Sequence, residues 1–239
     1  MSGFTRRELL AGTAGLTSAL ALAPRGADAA APAQTPNRGG TVTVALVQAP
    51  PSLDAQLSSA QVARDINLHM YETLYARDEN AGVVPDLAQG AEISKDGLTY
   101  VFALRPGVKF HNGKTMDAAD AAASLQRYRR IGLAKILLDG VDKIEASGPL
   151  ELTVRMKKVQ SNFLDTLSSP GTPLAIYPAE EARKDPKDFK FIGTGPMKFV
   201  EYAPDSHATL ERFADYTPNP NYTKRDGFAG RKEMFIDRA

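Results

Sequence analysis

Short alternating runs of hydrophobic residues and two helical stripes along the chain predict strands interspersed with helices. Residues 41–47 alternate valine with threonine and then become apolar throughout, which predicts a strand buried at its far end. The strand should stop before Pro50-Pro51, because proline has no N–H group for a ladder hydrogen bond. In residues 56–77, apolar side chains recur every four residues and predict one buried helical face, formed by Val62, Ile66, Met70 and Leu74.

The next stretch predicts a turn, a strand and a second turn. Asp96-Gly97 is a turn signal, and the even positions from 98 to 104 are apolar, as expected for one face of a strand. Pro106-Gly107 suits the centre of a type II turn, since proline fixes the first φ angle and glycine accepts a positive second one. Residues 108–110 should then return as a short strand.

A capped helix follows this turn region. Asp117 is predicted to be the N-cap, and Asp120 stands at the third helical position, which is a shortened capping box. The predicted apolar stripe consists of Ala118, Ala121, Leu125 and Tyr128. The last turn carries Arg127, Arg129 and Arg130, which complement the helix dipole. This basic cluster could bind an anion, but a solvated helix end is the simpler interpretation.

The remaining patterns complete a mixed α/β prediction. A loop is expected at 83–89 because of Pro85, a half-exposed strand at 152–157, a short helix at 162–167, and a strand pair at 198–202 and 208–213. Composition is ordinary for a globular protein, with 239 residues, 43% hydrophobic and 24% charged. The net charge of +1 argues against nucleic acid as a partner. The absence of cysteine excludes disulfides, thiolate chemistry and an N-terminal lipid anchor.

The N-terminal residues have the three regions of an export signal in the right order. Arg6-Arg7 is a twin-arginine pair, residues 9–23 are apolar but too short for a confident membrane span, and Ala27-Asp28-Ala29 fits a cleavage site. We therefore expect residues 1–29 to be a twin-arginine signal peptide and residues 30–38 a linker. The mature protein should be free in the periplasm.

No residue pattern in the chain predicts catalysis or metal binding. The three histidines, His69, His111 and His207, lack metal-ligand spacing, and neither H-E-x-x-H nor G-x-S-x-G occurs. The glycine-rich run at 193–196, GTGP, lacks the lysine of a phosphate-binding loop and predicts a tight entry into the next strand. We expect no metal, no cofactor and no enzyme activity, and keep an exported enzyme as an alternative.

Several segments, in order, carry a resemblance to a known family. They are TVTVALVQAPPSLDA from residue 41, MYETLYARD at 70–78, the stretch from VPDLAQ to SLQRY at 84–128, and FIGTGPMKFVEYAPDSHATLERFADY at 191–216. They resemble the N-terminal part of extracytoplasmic solute-binding proteins of family 5, the dipeptide/oligopeptide/nickel class that serves ABC importers. Met197 departs from the family, which usually has an aromatic residue after GTGP.

The resemblance implies a type II periplasmic binding protein fold built from two lobes. Residues 39–55 and 170–239 would form the first lobe, and residues 56–169 a helper domain inserted in it. The second lobe would follow Ala239, so we expect a fragment, and a truncated, non-transporting remnant stays open as an alternative.

The family also implies a ligand and a partner. The expected function is the periplasmic binding of peptides or similar small solutes for ABC permease subunits, by a monomer. The loop after the first strand, residues 48–52, is hereafter the contact loop. Its candidate ligand contacts are Gln48, Ala49, Pro50 and Ser52, although an ordinary strand-ending loop explains them equally well. The sequence does not identify the solute.

Overall fold

The computed structural model describes residues 36–239, so the predicted signal peptide and residues 30–35 of the predicted linker lie outside the described residues. The fold is mixed α/β, as predicted. Its helices are α1 (Gln61–Met70), α2 (Ala118–Ile131), α3 (Phe163–Leu167) and α4 (Ala179–Ala182), with 3₁₀ turns at Lys135–Leu138 and Pro186–Asp188. Its strands are β1 (Tyr75–Arg77), β2 (Val83–Pro85), β3 (Ala88–Ile93), β4 (Thr99–Leu104), β5 (Val141–Gly148), β6 (Glu151–Met156), β7 (Met197–Ala203), β8 (His207–Arg212), β9 (Arg225–Asp226) and β10 (Ala229–Gly230).

The largest sheet is antiparallel, with strand order β3-β4-β6-β5. Tyr100 pairs with Val154 and Phe102 with Leu152, so the apolar positions of β4 and β6 lie side by side on one buried face. Helix α2 covers this face, and Phe163 of α3 packs edge-on against Tyr100 with 4.9 Å between ring centroids. The predicted alternation in both strands is confirmed.

Helix α2 starts where the sequence predicted, for a local reason. The Asp117 carboxylate accepts the Asp120 N–H at 3.0 Å, and the Asp120 carboxylate accepts the Asp117 N–H at 3.1 Å. These bonds satisfy backbone donors that the first helical turn leaves free. All four residues of the predicted stripe are buried, so this prediction is confirmed.

A second core joins α1 to residues 175–182 and to the β7-β8 pair. Val62, Ile66 and Met70 are buried as predicted, and Ile66 and Met70 belong to this core. The helix ends at Met70, however, and the buried Leu74 lies beyond that end. Strands β7 and β8 confirm the predicted strand pair. Within residues 36–239, no helix has both the length and the apolar character needed to cross a membrane.

Three local predictions were wrong. Residues 41–47 are not a strand: Thr41 forms one isolated bridge with Arg238, and Val44 and Val47 are 69% and 95% exposed. High strand propensity does not make a strand without a neighbouring strand to pair with. The predicted loop at 83–89 contains β2, where Pro85 is tolerated at the end of a two-stranded ribbon. Residues 108–110 contribute only the Lys109–Thr115 bridge.

Candidate functional site

The contact loop lies on the surface, next to a buried ion pair between Asp54 and Arg127. Gln48 and Ala49 are exposed, Pro50 is buried and Ser52 is half-buried. The Tyr202 hydroxyl donates to the Pro50 carbonyl at 3.1 Å, and the Ser52 hydroxyl accepts the N–H of Asp54 at 3.0 Å. The loop is therefore attached to the rest of the fold at its centre, through Pro50, and has a local hydrogen bond at its end, while Gln48 and Ala49 at its start face outward.

The anchor is a buried ion pair between Asp54 and Arg127. The Arg127 guanidinium donates to both oxygens of Asp54, at 2.5 and 3.2 Å, and to Oε1 of Gln56 at 3.1 Å. The Tyr177 hydroxyl donates to the same carboxylate at 3.0 Å. Arg127 has no exposed side-chain surface, so the prediction of a solvated helix end was wrong for this residue.

Aromatic rings enclose this anchor pair. The Arg127 guanidinium lies 4.6 Å from the Phe189 ring centroid and 5.5 Å from that of Tyr177. The Tyr71 hydroxyl donates to the Leu53 carbonyl at 3.1 Å. Burial raises the pKa of Tyr71 and Tyr177 well above the usual range, so both phenols keep the protons that they donate. The segment that follows the contact loop is thereby held against α2.

A cavity of about 640 Å³ opens beside α1, hereafter the α1 cavity. Its wall is formed by residues of α1, by the loop 168–173 and by the segment 223–235. Four acidic residues line it: Asp65 and Glu233 are exposed, whereas Glu72 and Asp86 are each only 2% exposed. This is an unusual position for carboxylates, which are rarely buried without partners.

One lysine joins the two carboxylates. Lys232 Nζ lies 3.0 Å from Glu72 Oε1 and 2.8 Å from Asp86 Oδ2. The Tyr216 hydroxyl donates to Glu72 Oε1 at 2.9 Å. The cluster ties β2 and the end of α1 to the C-terminal part of the described chain.

The two carboxylates titrate differently. Burial raises the pKa of Asp86 to about 6, against the opposing charge of Lys232, and the neighbouring Glu72 charge adds to the rise. Burial also acts on Glu72, but the charges of Lys232 and Arg105 outweigh it and lower the pKa of Glu72. Burial works against the charged form of Lys232 too, yet the two carboxylates raise its pKa. Glu72 and Lys232 are therefore charged at neutral pH.

The glycines of the 193–196 run have a structural role, as predicted, since β7 begins directly after them. A Cβ on Gly193 would lie 2.1 Å from the Met70 carbonyl oxygen, and one on Gly195 would lie 2.5 Å from that of His69. His111 holds the same run: Nδ1 accepts the Gly193 N–H at 3.1 Å, and Nε2 lies 3.0 Å from the Gly195 carbonyl oxygen.

The two hydrogen bonds of His111 to Gly193 and Gly195 require a neutral ring with its proton on Nε2. Burial lowers the pKa of His111 to about 4, against the hydrogen bond to Gly195.

Among the described residues, no group of three or more histidine, aspartate or glutamate side chains is placed to hold a metal ion. One lysine also joins two carboxylates near helix starts: Lys114 Nζ lies 2.5 Å from Asp120 and 3.0 Å from Glu180.

Local sequence patterns did not point to Asp54, Glu72, Asp86 or Lys232. A usable signal existed for Glu72, which stands inside the apolar run MYETLY, where an unpaired charge would be costly. Its partner Lys232 is 160 positions away, and nothing local in the sequence connects the two.

Comparison with solved structures defines the class of fold. The chain superposes on the periplasmic binding protein AgaA from A. tumefacien R10, in complex with agropinic acid, with a TM-score of 0.64 and 28% identity, covering 70% of this chain and 34% of that one. The oligopeptide-binding protein AppA from Bacillus subtilis, in complex with a nonapeptide, matches with a TM-score of 0.68 and 26% identity, over 85% and 40% of the two chains. The fold is that of a periplasmic binding protein.

Sequence comparison then gives the family. The profile described as "Bacterial extracellular solute-binding proteins, family 5 Middle" matches residues 82–228, and the chain belongs to this family. The glutathione-binding protein GsiB of Pectobacterium atrosepticum is 31% identical over 173 residues, 69% of this chain and 33% of that protein. The probable peptide ABC transporter periplasmic-binding protein y4tO of Sinorhizobium fredii is 27% identical over 194 residues, 77% and 35% of the two chains. The chain thus spans about a third of these relatives.

Proposed function

We propose that this chain forms one wall of a periplasmic solute-binding protein that delivers peptides or similar small solutes to an ABC importer. The family match over residues 82–228 carries this proposal. Members of the family are binding proteins. Among the relatives and neighbours named above, GsiB is named a glutathione-binding protein, and AppA was solved with a bound nonapeptide. We propose that this chain catalyses no reaction. We also propose that it is exported by the twin-arginine route and that permease subunits are its partners.

In this proposal the chain has two parts. Residues 39–55 and 170–239 form the first lobe, and residues 56–169 form the helper domain. One observation favours a division into two parts: the large sheet and α2 enclose one core, while residues 175–182 and β7 of the first lobe enclose another. Helix α1 packs in this second core, against the first lobe, although it lies within residues 56–169. The anchor pair connects the two parts, since Asp54 belongs to the first and Arg127 to the second.

The contact loop supplies the solute contacts of this wall. Gln48 and Ala49 are exposed and the loop is attached at Pro50 and Ser52, so it combines free polar groups with a fixed backbone. A fixed backbone lowers the entropy lost on binding. A solute that touches two lobes only in their closed arrangement shifts the population toward closure, which a permease can sense.

One wall alone should bind weakly. If two walls hold a peptide with a Kd of about 1 µM, half of that binding free energy corresponds to a Kd of about 1 mM. Calorimetry of the 239-residue chain with glutathione and a peptide library tests this. We expect dissociation constants near the millimolar range. Micromolar binding by this chain would contradict the one-wall proposal.

A further inference from the structure

We propose that a second cavity, lined by Phe189, Phe191 and Phe199, binds a small aromatic carboxylate, whose ring lies against the phenylalanines and whose carboxylate is held by Lys190 and Lys198. This cavity, hereafter the phenylalanine cavity, has a volume of about 510 Å³, within the range that is usual for small-molecule sites. The proposal goes beyond solute import, because no residue of the contact loop and no residue of the α1 cavity lines this cavity. Its ligand chemistry follows from three features: an aromatic surface, a lining whose charges are all positive, and fixed polar walls.

The three phenylalanines form a continuous aromatic surface. The ring centroids of Phe189 and Phe191 are 5.9 Å apart and those of Phe191 and Phe199 are 5.0 Å apart, and both pairs meet edge-on. Phe189 is buried, whereas Phe191 and Phe199 are only half-buried and keep apolar area in contact with water. A flat apolar ligand would remove this area from water, and an aromatic one would also continue the edge-to-face series.

The charged residues of this lining are both lysines. Lys190 and Lys198 line the cavity, and none of the described residues in the lining is an aspartate or a glutamate. Lys190 is exposed, and within residues 36–239 its ammonium group pairs with no carboxylate, although its backbone N–H donates to Glu181 at 3.0 Å. Lys198 pairs with Glu211 at 2.8 Å, but both side chains are more than a third exposed. Exposed ion pairs contribute little, so a ligand carboxylate can share Lys198 with Glu211 or replace it.

The two uncharged polar residues of the lining are already bonded to the protein. His111 is held to the 193–196 run through both ring nitrogens. Asn112 Oδ1 accepts the Lys114 N–H at 3.1 Å, and the same side chain hydrogen-bonds Glu180. These bonds fix the polar wall before a ligand arrives, which lowers the entropy lost on binding. The two lysines are the groups left to recognise a polar head, and two ammonium groups select an anion.

A series of probes on the unaltered 239-residue chain tests the proposal. The ¹⁵N-labelled protein is titrated at pH 7 with indole-3-acetate, tryptophol and tryptamine, which share one ring system and carry a negative, a neutral and a positive side chain. We expect indole-3-acetate to shift the amides of Phe191, Ile192 and Phe199 with a saturable curve and to bind at least fivefold more tightly than the other two. Hexanoate has the carboxylate without the ring and should also bind more weakly. Equal or tighter binding of any of these three, or no saturable shifts at these amides, would overturn the proposal.

A matched pair of variants adds a second test. Lys190→Gln removes one ammonium group from the phenylalanine cavity, so the affinity for indole-3-acetate should fall at least threefold. Lys95→Gln makes the same change at an exposed lysine that lines neither cavity, and should leave the affinity unchanged. Both lysines are exposed, so both variants should fold; unchanged affinity in Lys190→Gln, or equal losses in the two variants, would overturn the proposal. Because glutathione and peptide shifts are expected at the contact loop, failure of this site and failure of the import function are distinguishable.

Discussion

Arg127 and Asp54, which lie 73 positions apart in the sequence, share two hydrogen bonds in the interior, and this pair fixes the segment behind the contact loop to α2. The guanidinium lies against the Tyr177 and Phe189 rings, and both side chains of the pair are almost fully buried. Helix α2 starts at a local capping box and ends close to this pair. A rigid helix thus sets the position of an exposed loop.

The first prediction concerns that pair. Asp54→Asn leaves a buried guanidinium without its counter-charge, and the free energy of unfolding should fall by roughly 3–5 kcal/mol. Asp165→Asn is the matched control, because Asp165 pairs with Arg77 while 54% of its side chain is exposed, and its loss should cost less than about 1 kcal/mol. Urea denaturation measures both. Equal losses in the two variants would show that the anchor pair does not stabilise the fold.

The second prediction concerns the 193–196 run. Gly193→Ala places a methyl group 2.1 Å from a backbone oxygen, which cannot move aside as a flexible side chain would. We expect a loss of about 2 kcal/mol or more in thermal or urea unfolding. Gly90→Ala is the control, since no atom lies within 4 Å of the added Cβ there. A Gly193→Ala protein as stable as the control would contradict the close approach.

The third prediction concerns acid stability. The pKa of His111 falls from 6.5 when unfolded to about 4 when folded. Its contribution to the free energy of unfolding is therefore complete above pH 6.5, and about 3 kcal/mol of that free energy is lost as the pH falls toward 4. Asp86 acts in the opposite direction, because folding raises its pKa from 3.8 to about 6. Its contribution to the free energy of unfolding is therefore complete below pH 3.8 and is lost as the pH rises toward 6.

These two effects oppose each other between about pH 4 and 6, and single variants separate them. Asp86→Asn should lose stability more steeply than the native chain on going from pH 6 to pH 4, and His111→Asn less steeply. Urea denaturation at several pH values gives both slopes. Parallel slopes for the native chain and both variants would contradict the assigned environments.

The fourth prediction concerns residues 41–47. Because Val47 is 95% exposed and pairs with no strand, Val47→Thr should change the free energy of unfolding of this chain by less than about 0.5 kcal/mol. Phe102→Leu in the buried face of β4 is the contrasting change and should cost more than 1 kcal/mol. A large loss of stability in Val47→Thr would indicate that Val47 is buried in a strand, as the sequence pattern predicted.

The sequence predicted the elements whose causes are local. Asp117 and Asp120 are three residues apart, and the alternation of β4 is contained in one strand, so both could be identified. The pairing of Asp54 with Arg127 could not, because it depends on how distant segments meet. The strand propensity of residues 41–47 was visible, but whether a partner strand lies beside them depends on distant segments and could not be predicted locally. The solute contacts of the contact loop stay a prediction.

The most direct test of the central claim, that this chain is a binding wall whose solute contacts lie in the contact loop, is an amide-shift titration with glutathione and with tripeptides. The account predicts saturable shifts at Gln48, Ala49 and Ser52, with a dissociation constant near the millimolar range. Shifts confined to other parts of the surface, or chemical conversion of the added peptide, would contradict it.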